Sequence, residues 1–213
     1  MQLTKFTHAC VRLDDGDHSL VIDPGVFSEV DQALDGASSV LITHEHPDHL
    51  HADKLRAAAH ADPRLRIWAP AGVAATLADL GEQVVAVGPG ESFDAAGWPV
   101  RTFGGQHALI HPAIAVVANI GYLVAATVYH PGDSFTVPDV AVEVLLVPTS
   151  APWSKAAEVI DFTVAVRAPR AFQIHDSLGT DVYASIVEGH LQRIAGPFGV
   201  TFQHVQPAET VTI

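Results

Sequence analysis

The sequence predicts an α/β fold in which two mixed sheets pack face to face with helices on the outside. Short apolar runs broken by Gly, Pro and Asp recur along the chain, and longer amphipathic stretches stand between them. The pattern divides into two halves, each running from strands into helices. Apolar sheet faces and helix stripes of that kind are buried by stacking in layers. With 213 residues, 48% of them hydrophobic, the chain can bury one sizeable core. A single domain over residues 1–213 is expected, since no linker rich in Gly, Ser or Pro and no charge block divides the chain.

In order along the chain, residues 2–7, 9–14 and 18–23 read as an opening meander, with Asp14-Asp15-Gly16-Asp17 as a turn. Cys10 alternates with Ala9 and Val11, the pattern of a buried strand residue. As the one cysteine it excludes an internal disulfide and fits a reducing compartment. The run Leu20-Val21-Ile22 ends at Asp23-Pro24-Gly25, a second turn. Residues 39–43 form the next strand. Helical patterns at 52–60 and 71–80 flank a short strand at 66–69. Short strands follow at 83–87, 91–94, 98–103, 113–118, 121–125 and 127–130, punctuated by Gly or Pro. The remainder alternates as strand 143–147, helix 154–167, strand 170–174, helix 181–194 and strand 201–204.

Directly after Val40-Leu41-Ile42 stands Thr43-His44-Glu45-His46-Pro47-Asp48-His49, with three imidazoles and two carboxylates in seven residues. Imidazole and carboxylate are the ligand set of a divalent cation such as zinc, and a loop at a strand end can aim several of them inward. A zincin helix is excluded. It needs His at i and i+4, but the residue four after His44 is Asp48, and Pro47 disrupts a helix interior.

The pattern His-x-His-x-Asp-His resembles the signature of the metallo-β-lactamase superfamily. The resemblance implies a four-layer αββα sandwich with the site along one edge between the sheets. It also implies that His44 and His46 bind one metal, and Asp48 and His49 a second. Three later strand ends complete the family's ligand set: His107 after Phe103-Gly104-Gly105-Gln106, Asp133 after His130-Pro131-Gly132 as the bridge between metals, and His175 after Ala171-Phe172-Gln173-Ile174. Taken singly, each of the three is an ordinary structural histidine or turn residue; with the cluster, they are ligands. Asp23, in an Ile-Asp-Pro motif similar to the family's, is the candidate carboxylate supporting a ligating His. His8, His51, His111 and His130 compete for the same roles. His130 reads as structural or supporting, His111 as lining the pocket mouth, and His51 as opening the next helix.

The chemistry so implied is hydrolysis. Two divalent ions about 3.5–4 Å apart share a hydroxide that attacks an ester, lactone, amide or phosphodiester, with Asp133 bridging the ions and Asp48 ligating one and orienting the nucleophile. Zinc is expected; manganese and iron accept the same ligands. The length and the Ile-Asp-Pro motif look most like the branch that includes L-ascorbate-6-phosphate lactonase and phosphodiesterase relatives. Segments 23–31, 44–51, 104–113, 131–138, 148–154 and 175–181 contain no Lys or Arg to hold a phosphate or carboxylate. That favours a neutral or weakly anionic small molecule, with Phe27, Phe135 and Trp153 as candidates for an apolar wall. Two other classes stand against this one: a mononuclear iron thiol dioxygenase of the same superfamily, leaving Asp48, His49 and His175 unused, and a non-catalytic metal-binding scaffold or sensor. The net charge of −13, from 11 basic and 24 acidic residues, repels phosphate backbones and excludes nucleic acid as a partner. No apolar run reaches about 18 residues and no signal-like segment opens the chain, so a cytoplasmic protein without membrane contact is expected.

Overall fold

The computed structural model describes residues 1–16 and 18–213. The first sheet contains β1 (Gln2–Lys5), β2 (Val11–Asp15), β3 (His18–Ile22), β4 (Ser39–Leu41), β5 (Arg66–Ala69) and β6 (Val84–Ala86). The second contains β7 (Ser92–Ala95), β8 (Trp98–Gly104), β9 (Ile120–Val124), β10 (Val128–His130), β11 (Val144–Pro148), β12 (Arg170–Ile174) and β13 (Thr201–Gln203). A last strand, β14 (Thr210–Thr212), returns to pair with β1, giving the orders β14-β1-β2-β3-β4-β5-β6 and β13-β12-β11-β10-β9-β8-β7.

Side-chain alternation builds four layers from these strands. Leu20 and Ile22 of β3, Tyr122 and Val124 of β9, Val144 and Leu146 of β11, and Phe172 and Ile174 of β12 fill the space between the sheets. On the outer face of the first sheet, Val21, Val40 and Ile67 meet α1 (Val30–Leu34), α2 (Ala52–Ala61) and α3 (Ala71–Thr76) through Ala33, Leu55, Ala59 and Val73. On the outer face of the second, Leu123, Leu145 and Val147 meet α4 (Ala156–Val166) and α5 (Asp181–Ala195) through Val159, Phe162, Val187 and Leu191. This is the expected αββα sandwich.

Strands β3 to β6 run parallel, as do β10 to β13. Their carboxyl ends therefore open on one edge, where loops can converge. There the sheets are tied together: the Tyr122 hydroxyl donates to the Ile42 carbonyl at 2.8 Å, and the Ile120 amide donates to the Thr43 carbonyl at 2.9 Å. Among the described residues, no helix is long and apolar enough to cross a membrane.

Several boundaries differ from the sequence reading. Residues 113–118 are an exposed loop and not a strand. The β8–β9 ladder closes at Gly104 opposite Ile120, and Gly104 and Gly105 at φ 81° and 133° turn the chain away from the sheet. Cys10 is buried but lies in the turn before β2, where its carbonyl accepts from the Phe6 amide. The stretch 71–80 breaks into α3 and a 3-10 segment at Ala78–Gln83, which contains Gly81 at φ 58°. The predicted Asp14–Asp17 turn includes Asp17, which lies outside the described residues.

Candidate metal centre

The loops at this edge bring all seven predicted residues together. His44, His46, His107 and Asp133 form one group, with ligand atoms within 4.8 Å of one another; Asp48, His49 and His175, joined by His8, form a second. Asp133 reaches both. Its Oδ1 lies 3.0 Å from His49 Nε2, and its Oδ2 lies 3.1 Å from His175 Nε2, 3.3 Å from His107 Nε2 and 4.0 Å from His44 Nε2.

The local sequence explains the convergence. Asp23 ends β3 with φ 52° and turns its carboxylate across to β4, accepting the Thr43 amide at 2.7 Å and the Thr43 hydroxyl at 2.6 Å. The same carboxylate receives His49 Nδ1 at 2.7 Å. Pro24 and Val26 then brace the histidine loop, with His51 N donating to the Pro24 carbonyl and Val26 N to the Pro47 carbonyl, both at 2.9 Å. Asp133 is set by Asn119, whose Oδ1 accepts the Asp133 amide at 2.9 Å while Nδ2 donates to the Pro131 carbonyl at 2.9 Å. Gly132, at φ 61°, has no room for a side chain: a Cβ there would stand 2.2 Å from Asn119 Oδ1.

These bonds also orient the rings. His49 donates from Nδ1 to Asp23, His107 from Nδ1 to the Ala108 carbonyl, and His175 from Nδ1 to the Ser150 carbonyl at 2.7 Å. With Nδ1 so engaged, each ring turns Nε2 toward the centre, the nitrogen through which it would bind a cation once deprotonated. Correspondingly, His49 Nε2, His107 Nε2, His175 Nε2 and Asp133 Oδ1 are buried without a hydrogen-bond partner. Orphaned polar atoms are costly in a core, and their gathering in two groups on either side of Asp133 is an arrangement that divalent cations satisfy. The residues present fit the metal.

A family model for a beta-lactamase superfamily domain matches residues 2–175. The chain belongs to the β-lactamase superfamily. Protein Rv0786c of Mycobacterium tuberculosis is 40% identical over 196 residues, covering 90% of this chain and 91% of that one. A UPF0173 metal-dependent hydrolase of Xanthobacter autotrophicus is 30% identical over 158 residues, covering 66% of this chain and 65% of that one. Igni18, described as a metallo hydrolase from the archaeon Ignicoccus hospitalis, has the same fold at 18% identity. Its TM-score is 0.77, with coverage of 100% of this chain and 97% of that one. One relative and one structural neighbour of this superfamily member are thus named as metal-dependent or metallo hydrolases.

Electrostatics within the superfamily site reflect its crowding. Burial opposes charge on Asp133, yet the surrounding imidazoles hold it well below the usual carboxylate range. Burial likewise opposes charge on His49, but Asp133 and Asp23 hold it well above the ordinary imidazole value; His175, beside Asp133 and Asp48, is pushed up to about 9. His44 and His46 are lowered, chiefly by burial and by neighbouring imidazoles.

His8 was one competitor among several in the sequence and is the residue the structure adds. Fully buried at φ 67°, it lies 3.0 Å from Asp48 Oδ2 through Nε2 and 2.7 Å from the Ser177 hydroxyl through Nδ1. The β1–β2 turn falls on the edge where β3 ends, so the topology could have singled it out. His130 stays outside both groups, donating from Nε2 to the Ala9 carbonyl at 2.9 Å and accepting Gly132 N on Nδ1. His111 is exposed and likewise outside both, and His51 caps α2. Trp153 carries a polar contact the sequence did not suggest: its indole N–H donates to Asp133 Oδ2 at 2.9 Å. Phe135 packs against Trp153, and Phe27 stands edge-on to His8 on the other group.

Proposed function

We propose that the chain is a dinuclear metal-dependent hydrolase, with His44, His46 and His107 holding one divalent cation, Asp48, His49 and His175 the other, and Asp133 shared between them. The observation that carries this reading is the approach of three unpartnered imidazole nitrogens, drawn from both groups, to a buried Asp133 carboxylate whose Oδ1 is itself unpartnered. Zinc suits the donor set, and manganese or iron would accept it. Two such cations would supply Lewis acidity and a water acidified towards neutrality.

The protein's own residues supply the rest. Asp23, Ala108 and Ser150 fix three imidazole orientations through Nδ1. Asn119 and Trp153 fix the Asp133 carboxylate, one through its backbone amide and the other through Oδ2. Asp48, half-buried beside His8, is the carboxylate placed to orient the nucleophile. The substrate is a neutral or weakly anionic ester, lactone or amide. Water adds its oxygen to the acyl carbon, the bond from that carbon to the leaving oxygen or nitrogen breaks, and the leaving group departs with the proton. In support of low substrate charge, the site segments contain no Lys or Arg. The nearby Lys5 is buried and already spent on Asp176 at 2.9 Å and the Phe6 carbonyl at 2.8 Å. A cytoplasmic location, a single domain and the absence of nucleic-acid or membrane partners complete the proposal.

The test is chelation and reconstitution. Hydrolysis of an ester, lactone and phosphodiester panel should vanish on metal removal and return with zinc or manganese. Dioxygen consumption with a thiol, supported by one iron per chain, would replace this reading with the dioxygenase.

A further inference from the structure

The loops that carry the candidate centre also expose apolar side chains. Among the described residues, six of the thirteen exposed large hydrophobic side chains lie on three loops that carry the site. They are Val26 and Phe27 after Asp23, Leu109, Ile114 and Val116 around His107, and Leu178 after His175. Scattered single apolar residues need no explanation, but a collar around a polar centre marks a binding surface. On the side of the His8–Asp48 group, the collar borders a cavity of about 290 Å³ lined by Thr7, Phe27, Ser177 and Leu178. Leu178 is also a wall of a second cavity of about 560 Å³, lined by Pro152 and Ala151 together with the hydroxyl-bearing Ser154, Thr180 and Tyr183. Neither lining includes a charged side chain, whereas three cavities elsewhere among the described residues include Asp and Lys, Arg, or Asp and Glu.

The two cavities, which share Leu178 and together form a groove beside the site, are tied to it by hydrogen bonds. Ser177 bonds His8, which bonds Asp48, and Ser150 of the second cavity accepts His175 Nδ1. A substituent leaving the centre on this side meets Phe27 and Leu178, and neither cavity lining offers it a charged partner. We propose that this groove is the subsite for an uncharged aliphatic chain of about medium length, so that the substrate class is medium-chain esters, lactones or amides. This deepens, and rests on, the hydrolase reading.

The probe is a series of methyl ketones (2-pentanone, 2-heptanone and 2-nonanone), which carry the carbonyl and chain but no hydrolysable bond. Each methylene buried contributes about 0.8 kcal/mol, so the Kd of the metal-loaded protein, followed by ligand-observed NMR, should tighten about fourfold per added methylene. Leu178→Asp and Phe27→Asp, at side chains that are about half exposed, should flatten that dependence in protein that stays folded by circular dichroism and keeps its metal content. A flat series in the unmodified protein, or a slope that survives both substitutions, overturns the proposal. Hydrolysis of p-nitrophenyl octanoate is measured alongside. A chain-length slope without hydrolysis removes the hydrolase reading and keeps the subsite; hydrolysis with a flat ketone series does the reverse.

Discussion

Gly25→Ala isolates a single feature, the close approach of the Asp23–Ser28 turn to the histidine loop. The added Cβ would lie 1.8 Å from the Asp48 carbonyl oxygen and 2.6 Å from the His49 amide nitrogen, where real contacts essentially never fall below 3.0 Å. The two segments must therefore separate by about 1.2 Å or more. Separation is resisted on both flanks by the bonds from Val26 N to Pro47 O and from His51 N to Pro24 O. Overpacking of this kind costs about 1–3 kcal/mol, which for a chain of this size lowers the melting temperature by about 2–12 °C. Asp48 and His49 sit on the displaced segment, so the same shift opens one ligand group while leaving His107 and Asp133 in place. A misplacement of about 1 Å costs roughly a hundredfold in turnover. The assay pairs thermal melting with metal content and ester hydrolysis. Unchanged metal content and turnover in a folded Gly25→Ala protein would refute the reasoning, since the clash could then be relieved without moving the ligands.

Three further outcomes are expected. Asp23→Asn keeps the shape but loses the charge that His49 Nδ1 faces, and metal affinity measured by competitive chelation should fall about 10–100-fold. Trp153→Phe keeps the ring packing but removes the N–H on Asp133 Oδ2; turnover should fall about tenfold or more with folding intact by circular dichroism. In chelator-stripped protein, the raised His175 value of about 9 contributes stability that is fully present below about 6.5 and lost as pH rises through about 9. The melting temperature of the stripped protein should fall across that window, and a flat profile would contradict the assignment of His175 beside Asp133 and Asp48.

What was legible in the sequence was local or anchored at strand ends. His44 to His49 announce themselves within seven residues, and His107, Asp133 and His175 each follow a strand whose end topology brings to the same edge. His8 required knowing which side of the sheet the β1–β2 turn occupies, a long-range fact. The same holds for β14, which pairs with β1 across nearly the whole chain. Residues 113–118 read as a strand because they are apolar, yet that apolarity belongs to an exposed rim beyond the last β8–β9 pair. α1 spans only Val30–Leu34, too short for a helical period to register. Trp153 was legible as an aromatic wall, but its bond to Asp133 depends on a side-chain direction that spacing does not encode.

The most direct test of the proposed dinuclear centre is a count of metal atoms per chain by plasma mass spectrometry in the purified protein and in Asp133→Asn. Two zinc or manganese atoms per chain, reduced in the variant, are the predicted result. One iron per chain, or two metals undiminished by the substitution, would contradict a centre shared through Asp133.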